Sequence, residues 1–220
     1  LAEEQNTTFA DVRQLGTYRT DDSYLQKHID LILQLPLVDV KAIREKRYTV
    51  LVDGINSTGG LVVPTLLEAL GVYGVVTLNG EPTGDFAHNP EPLPESLRDV
   101  SRLMERGNFD LLVAIADYVL QHKKGNTVSN LSSTVALREV TERAGGKHYA
   151  SAVGEVNVVA MMKAKKAVVG GEGNGGIIYP ELHYGRDSLV GVALFLTHLA
   201  EKKMKISELR ASYPQYYMSK

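Results

Sequence analysis

Residues 168–178 read VVGGEGNGGII, and two side chains in that run can do chemistry. Glu172 offers a carboxylate that accepts hydrogen bonds on two oxygens. Asn174 offers an amide that both donates and accepts. Gly171, Gly173, Gly175 and Gly176 leave bare backbone around them, so a flat polar ligand can come close. Gly-rich loops that cradle phosphate run from a strand into a helix N-terminus. Here the loop runs into a second β-like stretch, so that context is missing, and a central carboxylate repels phosphate. Neutral hydroxyls, as on a sugar, suit the pair better. The same residues also describe a tight β-hairpin whose glycines supply positive φ, and the residues alone leave both readings open. Arg186, further along, could reach a phosphate or pair with Glu181 or Asp187.

Other candidates read more simply. DGINSTGG (53–60) has the look of a ligand loop, but a strand-to-helix turn with Ser57 or Thr58 as N-cap explains it. HNPEPLPE (88–95) reads as a surface loop, and EKKMK (201–205) as a solvated helix end. Histidines stand at 28, 88, 122, 148, 183 and 198, no two at metal-ligand spacing, so zinc is not expected.

The elements that must position these groups follow from periodicity. Tyr24, Leu25, Ile29, Ile32 and Leu33 line one helical face, with Asp21 or Asp22 as N-cap and Pro36 as the stop. Further helices are predicted over 38–46, 60–70, 94–106, 112–122, 133–144, 155–165 and 185–203. Strands are predicted over 48–52, 72–78, 127–129, 147–150, 167–169 and 177–179. Strands that are apolar throughout and alternate with helices predict parallel sheets covered on both faces. The reading is an α/β protein with two domains, 1–111 and 112–220, each with its own core. Strands 48–52, 72–78 and 167–169 should be buried. The junction in NFDLLVAIADYVL lacks any turn residue. Either one helix starts near Asp110 or a segment has been left out there.

Bulk properties narrow the class. The chain has 220 residues, 44% hydrophobic and 23% charged, and a net charge of −2. That balance gives no electrostatic case for nucleic acid or an anionic membrane. The absence of cysteine excludes disulfides and cysteine-held metals. No apolar run is long enough to span a bilayer. LAEEQNTTF has no signal-peptide pattern, so a cytoplasmic location is expected.

GGEGNGG resembles the sugar-binding loop of the α-D-phosphohexomutases, commonly Gly-Glu-x-Ser-Gly. These isomerases include phosphoglucomutase, phosphomannomutase and phosphoglucosamine mutase. VLVDGINSTGGLVVPTLLEALGV is similar to the start of the family's second domain, and FAHNPEPLPESLRDVSRLM to its Pro-x-Pro-Glu segment. ADYVLQHKKGNTVSNLSSTVALREVTERAGG resembles the opening of the third domain, and VGEVNVVAMMKAKKAVVGGEGNGGIIYPELHYGRDSLVGVALFL its remainder. Five segments in order cover nearly the whole chain. The Gly-Asn-Gly form is closest to archaeal-type sequences labelled phosphoglucosamine mutase.

The resemblance implies two tandem three-layer α/β/α domains with mostly parallel mixed sheets, the central two of four. It implies a hexose phosphate substrate, magnesium, and a phosphoserine that gives and takes the phosphoryl group. The nucleophile domain I and phosphate-loop domain IV have no counterpart in these residues. The family's Asp-rich metal loop belongs after FDL, at the turnless junction, so no catalytic or metal residue is assigned. Leu111 and Leu112 are then expected to lie apart or across a break. By the same resemblance Glu172 accepts from sugar hydroxyls, Asn174 stands where Ser is usual, and Gly173 and Gly175 shape the loop. Ser132 and Glu155 stand where some relatives have Lys and His, so those roles are not carried over. The Glu172 carboxylate should then lie exposed and unpaired. The rival reading is a non-catalytic module that keeps the scaffold for sugar binding or assembly.

Overall fold

The structure, a computed structural model, describes residues 10–90, 111–173, 175–214 and 216. The predicted helix over 94–106 lies outside them. Ahead of the first helix lies a short 3-10 turn at Val12–Gln14.

The first unit runs α1 (Tyr24–Leu33), α2 (Val40–Lys46), β1 (Thr49–Asp53), α3 (Gly59–Ala69) and β2 (Gly74–Leu78). Ile29 and Ile32 are the buried members of the α1 stripe. Its N-cap is Ser23 rather than an aspartate, and Asp21 instead accepts the Ser23 N–H. Strand β2 starts two residues later than expected because Val72 serves the preceding helix. The Val72 N–H donates to the Leu67 carbonyl and the Gly71 N–H to that of Glu68, with Gly71 at φ +75°. That is a Schellman stop, which glycine suits. β1 and β2 pair in parallel as a two-stranded sheet. Its inner row, Val50, Val52 and Val75, packs on the core. The expected burial of both strands is not met: only Val52 is buried, and Val76 is 51% exposed. Among the described residues, the outer Leu51–Val76 row has no second helical layer to cover it.

The second unit runs α4 (Leu111–His122), β3 (Asn126–Asn130), α5 (Ala136–Arg143), β4 (His148–Ser151), α6 (Glu155–Lys165), β5 (Ala167–Gly171), β6 (Ile177–Ile178), α7 (Ser188–Lys202) and α8 (Ile206–Ala211). The sheet order is β4-β3-β5-β6; the first three strands are parallel and β6 is antiparallel to β5. Ile177 joins the core with α4, α5 and α7, while Ile178 joins Val158 and Met162 of α6 on the other face. This sheet is therefore the middle of three layers, and Val169 is buried as expected. The short α8 was not expected.

Two expectations about the junction fail. Leu111 and Leu112 are consecutive residues of one helix, α4. Nor, among the described residues, do the cores divide near residue 111: buried side chains from Ile29 through Ile115 and Leu194 to Tyr213 form one cluster, beside a smaller one around Val128, Val158 and Met162. The reason is packing, since α1 and α2 lie against α7. Helix α4 is buried nearly all round, from Leu112 to Ala116 and again from Tyr118 to Leu120, as suits a central helix. No helix of the described residues is long and apolar enough to cross a membrane.

Candidate functional site

Parallel strands β3 and β5 end side by side, and the glycine loop closes the β5–β6 hairpin at that end. The Glu172 N–H donates to the Gly176 carbonyl at 2.9 Å, and the Gly175 N–H to the Glu172 carbonyl at 3.2 Å. Gly175 sits at φ +94°, where a Cβ is strained. At Gly171 a Cβ would stand 2.2 Å from the Gly176 carbonyl oxygen, so the two arms can close only without it. Gly173 lies over the loop after β3, where a Cβ would meet Ser133 Cα at 3.3 Å. The hairpin reading and the ligand-loop reading therefore describe the same backbone. Asn174 lies outside the described residues.

The tip folds inward. Glu172 is 5% exposed, which overturns the expectation of a free carboxylate in the cleft. Its Oε1 accepts from Asn130 Nδ2 at 3.1 Å, and its Oε2 from Arg186 Nη1 at 2.9 Å. Asn130, the last residue of β3, is itself held by Ser133 Oγ, which donates to Asn130 Oδ1 at 2.7 Å. A carboxylate this buried needs such partners. Each oxygen receives one donor from Asn130 or Arg186, and a carboxylate has roughly four lone-pair sites. On that count lone-pair sites remain beyond these two donors.

Arg186 pairs with neither Glu181 nor Asp187. Its Nε donates to Glu155 Oε2 at 3.1 Å and its backbone N–H to Glu155 Oε1 at 2.9 Å. Glu181 is taken by Lys123 and Tyr179. The backbone N–H and then the guanidinium of Arg186 hold the Glu155 carboxyl below its usual range, against a smaller opposing effect of burial. Glu155 opens α6, where a carboxylate also meets the positive helix end. One guanidinium therefore bridges Glu155 and Glu172. Asn130 also lines a cavity of about 100 Å³, together with Ser129, Ser133, Arg138 and His148 among others. Burial, then the charge of Arg138, pushes His148 down to about 4.

A second polar cluster adjoins the first. His28 Nε2 and His183 Nε2 both face Asp187 Oδ2, at 2.8 and 3.1 Å. The sequence hid this group, because His28 and Asp187 are 159 residues apart and spacing carries no trace of them. Glu155 and Asn130 were likewise invisible as partners of the loop.

Residues 26–116 match the family model for phosphoglucomutase/phosphomannomutase, alpha/beta/alpha domain II, and residues 108–217 the one for domain III. A phosphoglucomutase/phosphomannomutase from Thermococcus kodakarensis is 31% identical over 235 aligned positions, covering 94% of this chain and 51% of the relative. The aligned span exceeds the 220 residues of this chain, so the relative carries extra residues within it. A phosphoglucosamine/phosphogalactosamine mutase from Sulfurisphaera tokodaii is 27% identical, covering 92% of this chain and 50% of the relative. The crystal structure of a phosphoglucomutase/phosphomannomutase family protein from Burkholderia thailandensis has a TM-score of 0.70 at 22% identity, over 85% of this chain and 45% of that one. The chain thus spans about half the length of the curated relatives it matches. With two adjacent domain models matched in order, this chain belongs to the phosphoglucomutase/phosphomannomutase family, the α-D-phosphohexomutases.

Proposed function

We infer that these residues form the sugar-holding part of an enzyme that interconverts the 1- and 6-phosphates of a hexose or hexosamine through a bisphosphate. One observation carries the reading. Glu172 is locked at the tip of a glycine hairpin, at the C-terminal ends of parallel strands, with one donor on each oxygen among the described residues. Ligands of open α/β sheets bind at that end of the strands. A substrate that must bind in two orientations is best gripped through hydroxyls occupying similar places in both. A carboxylate fixed by Asn130 and Arg186 accepts from such hydroxyls without having to reorganise.

The chemistry of phosphoryl transfer belongs to other parts of the parent protein. Magnesium, which the resemblance implies, does not fit the described residues. Their one group of three possible ligands, His28, His183 and Asp187, offers two nitrogens and a single carboxylate, whereas magnesium takes oxygen ligands. These 220 residues are therefore expected to bind sugar phosphate without turning it over.

The test is titration of the isotopically labelled chain with glucose, mannose and glucosamine 1- and 6-phosphates. Amide shifts should cluster at Glu172, Gly173 and Gly175 and vanish in Glu172→Ala. Shifts confined elsewhere would remove the hairpin from the site. The run of Leu111 directly into Leu112 within α4 favours a second reading, a non-catalytic module that keeps the sugar grip. Magnesium-dependent mutase turnover by the full-length parent excludes the module; sugar binding without turnover supports it.

A further inference from the structure

We propose that His28 is a positioning residue for the sugar hairpin, acting from α1 through Asp187 and Arg186. The proposal rests on the sugar-loop reading above. Asp187 is tied down on every side. Its Oδ1 accepts the Leu189 and Val190 N–H groups and so caps α7. Its own N–H donates to the Ile177 carbonyl of β6 at 2.7 Å. Its Oδ2 receives His183 from the preceding turn and His28 from the first unit. The next residue back is Arg186, whose guanidinium spans Glu155 and Glu172. One peptide link thus separates the atom that α1 grips from the side chain that orients the Glu172 carboxylate.

Three ligand-type atoms within 4.8 Å of one another also suggest a metal site. The hydrogen bonding argues against it. The Gly185 N–H donates to His183 Nδ1 at 2.9 Å, so that nitrogen presents a lone pair. The proton of the neutral ring then sits on Nε2, and an N–H rather than a lone pair points at Asp187. A metal-ligating imidazole has the reverse arrangement, with its proton on the far nitrogen and donated to an acceptor. The cluster is a carboxylate receiving two imidazole N–H groups.

The link is separable from folding. Helix α1 is anchored by Ile29 and Ile32, both fully buried. The His28 side chain is 30% exposed and contributes direction more than burial. Its partner Asp187 is 6% exposed, so the bond on that side is shielded and holds its geometry.

The experiment uses the ¹⁵N-labelled chain as wild type, His28→Ala and His28→Gln. In the wild type, imidazole spectra should show His183 protonated on Nε2. A Nδ1–H tautomer, or zinc chloride at stoichiometric concentration moving both rings to metal-bound shifts, overturns the proposal without any variant. In His28→Ala the Arg186 Nε–H signal should move. The Kd for glucose 1-phosphate should rise about tenfold, the scale of one hydrogen bond to a charged group. Gln places an N–H donor near the position of Nε2 and should restore both. An Arg186 signal unchanged in His28→Ala overturns the idea, as does a change that Gln fails to reverse. A wild-type chain indifferent to glucose 1-phosphate, with Arg186 still responding to position 28, would sink the sugar reading and leave the positioning role standing.

Discussion

Each unit places a carboxylate at the end of a parallel strand, and the two are treated differently. Asp53 ends β1 and receives Ile55 N–H and Asn79 Nδ2 on one oxygen, at 3.1 and 3.0 Å. Its other oxygen receives His88 Nε2 at 2.8 Å. These donors come from its own turn, the end of β2 and the loop beyond. Burial works against ionisation of Asp53, but the bonds from His88, Asn79 and Ile55 outweigh it and hold the carboxyl below its usual range. The adjoining backbone is strained, with Ile55 at φ +43°, an uncommon state for a β-branched residue. Among the described residues Glu172 has a single donor on each oxygen, from Asn130 and Arg186, and sits in a glycine hairpin whose tip folds inward. Asp53 fastens a loop to its sheet, whereas Glu172 is held by fewer donors, as the proposed sugar-holding role requires.

The sharpest way to break this contrast is Glu172→Ala. In the full-length parent we expect a loss of about 10- to 150-fold in kcat/KM, from one hydrogen-bonded charge. Because Glu172 is paired and buried, folding should also suffer, by about 1–3 kcal/mol in chemical denaturation. Near-normal kcat/KM in a folded variant would make Glu172 as structural as Asp53.

Acid should separate the units next. His198 is 1% exposed and its Nδ1 has no hydrogen-bond partner among the described residues. Burial pushes it down to about 4, against the nearby charge of Asp117 and with help from Lys202 and His122. His148 is driven to the same value. A base depressed in the folded state binds its proton more readily when unfolded. The associated stability is therefore intact above pH ~6.5 and is lost as pH falls toward about 4. We expect each to contribute on the order of 1–3 kcal/mol across that window, allowing for solvent screening. Asp53 acts in the other window, since a depressed carboxyl loses its contribution only below about pH 4. Denaturation between pH 7 and 4 should flatten in His198→Leu and stay steep in Asp53→Asn.

Smaller effects refine the comparison. Gly175→Ala must hold φ +94° and should cost about 1–2 kcal/mol while weakening sugar binding. Asp53→Asn leaves an amide facing His88 and should cost only about 0.5–1 kcal/mol, because the pair is partly exposed. Amide exchange should quicken over residues 80–90 with the glucose 1-phosphate affinity of the chain unchanged. Altered sugar binding in that variant would join two sites that the comparison keeps apart.

Local pattern made most elements legible. The helical period found α1 through α7 except near their ends, and the bare glycines around Glu172 marked the hairpin. What stayed hidden was set by distance along the chain. Asn130 and Arg186 become partners of Glu172 only once β3, β5 and the turn before α7 are side by side. The same holds for His28 and Asp187, and no spacing rule reaches across 159 residues. Burial of β1 and β2 was overestimated because an apolar strand reads alike in a covered sheet and at a half-open face. Val72 read as strand because a β-branched residue that closes a helix by a backbone bond looks the same in sequence.

The packing of α1 and α2 on α7 also bears on how the chain is made. These helices leave the ribosome before α7, whereas the surface they need spans Ser188–Lys202. At about 5–20 residues per second, synthesis of the intervening stretch takes on the order of ten to thirty seconds. Throughout that interval Ile29, Ile32 and Ile43 lack their final neighbours. The early helices are then a natural client for a holding chaperone, and truncation before residue 188 would leave them sticky.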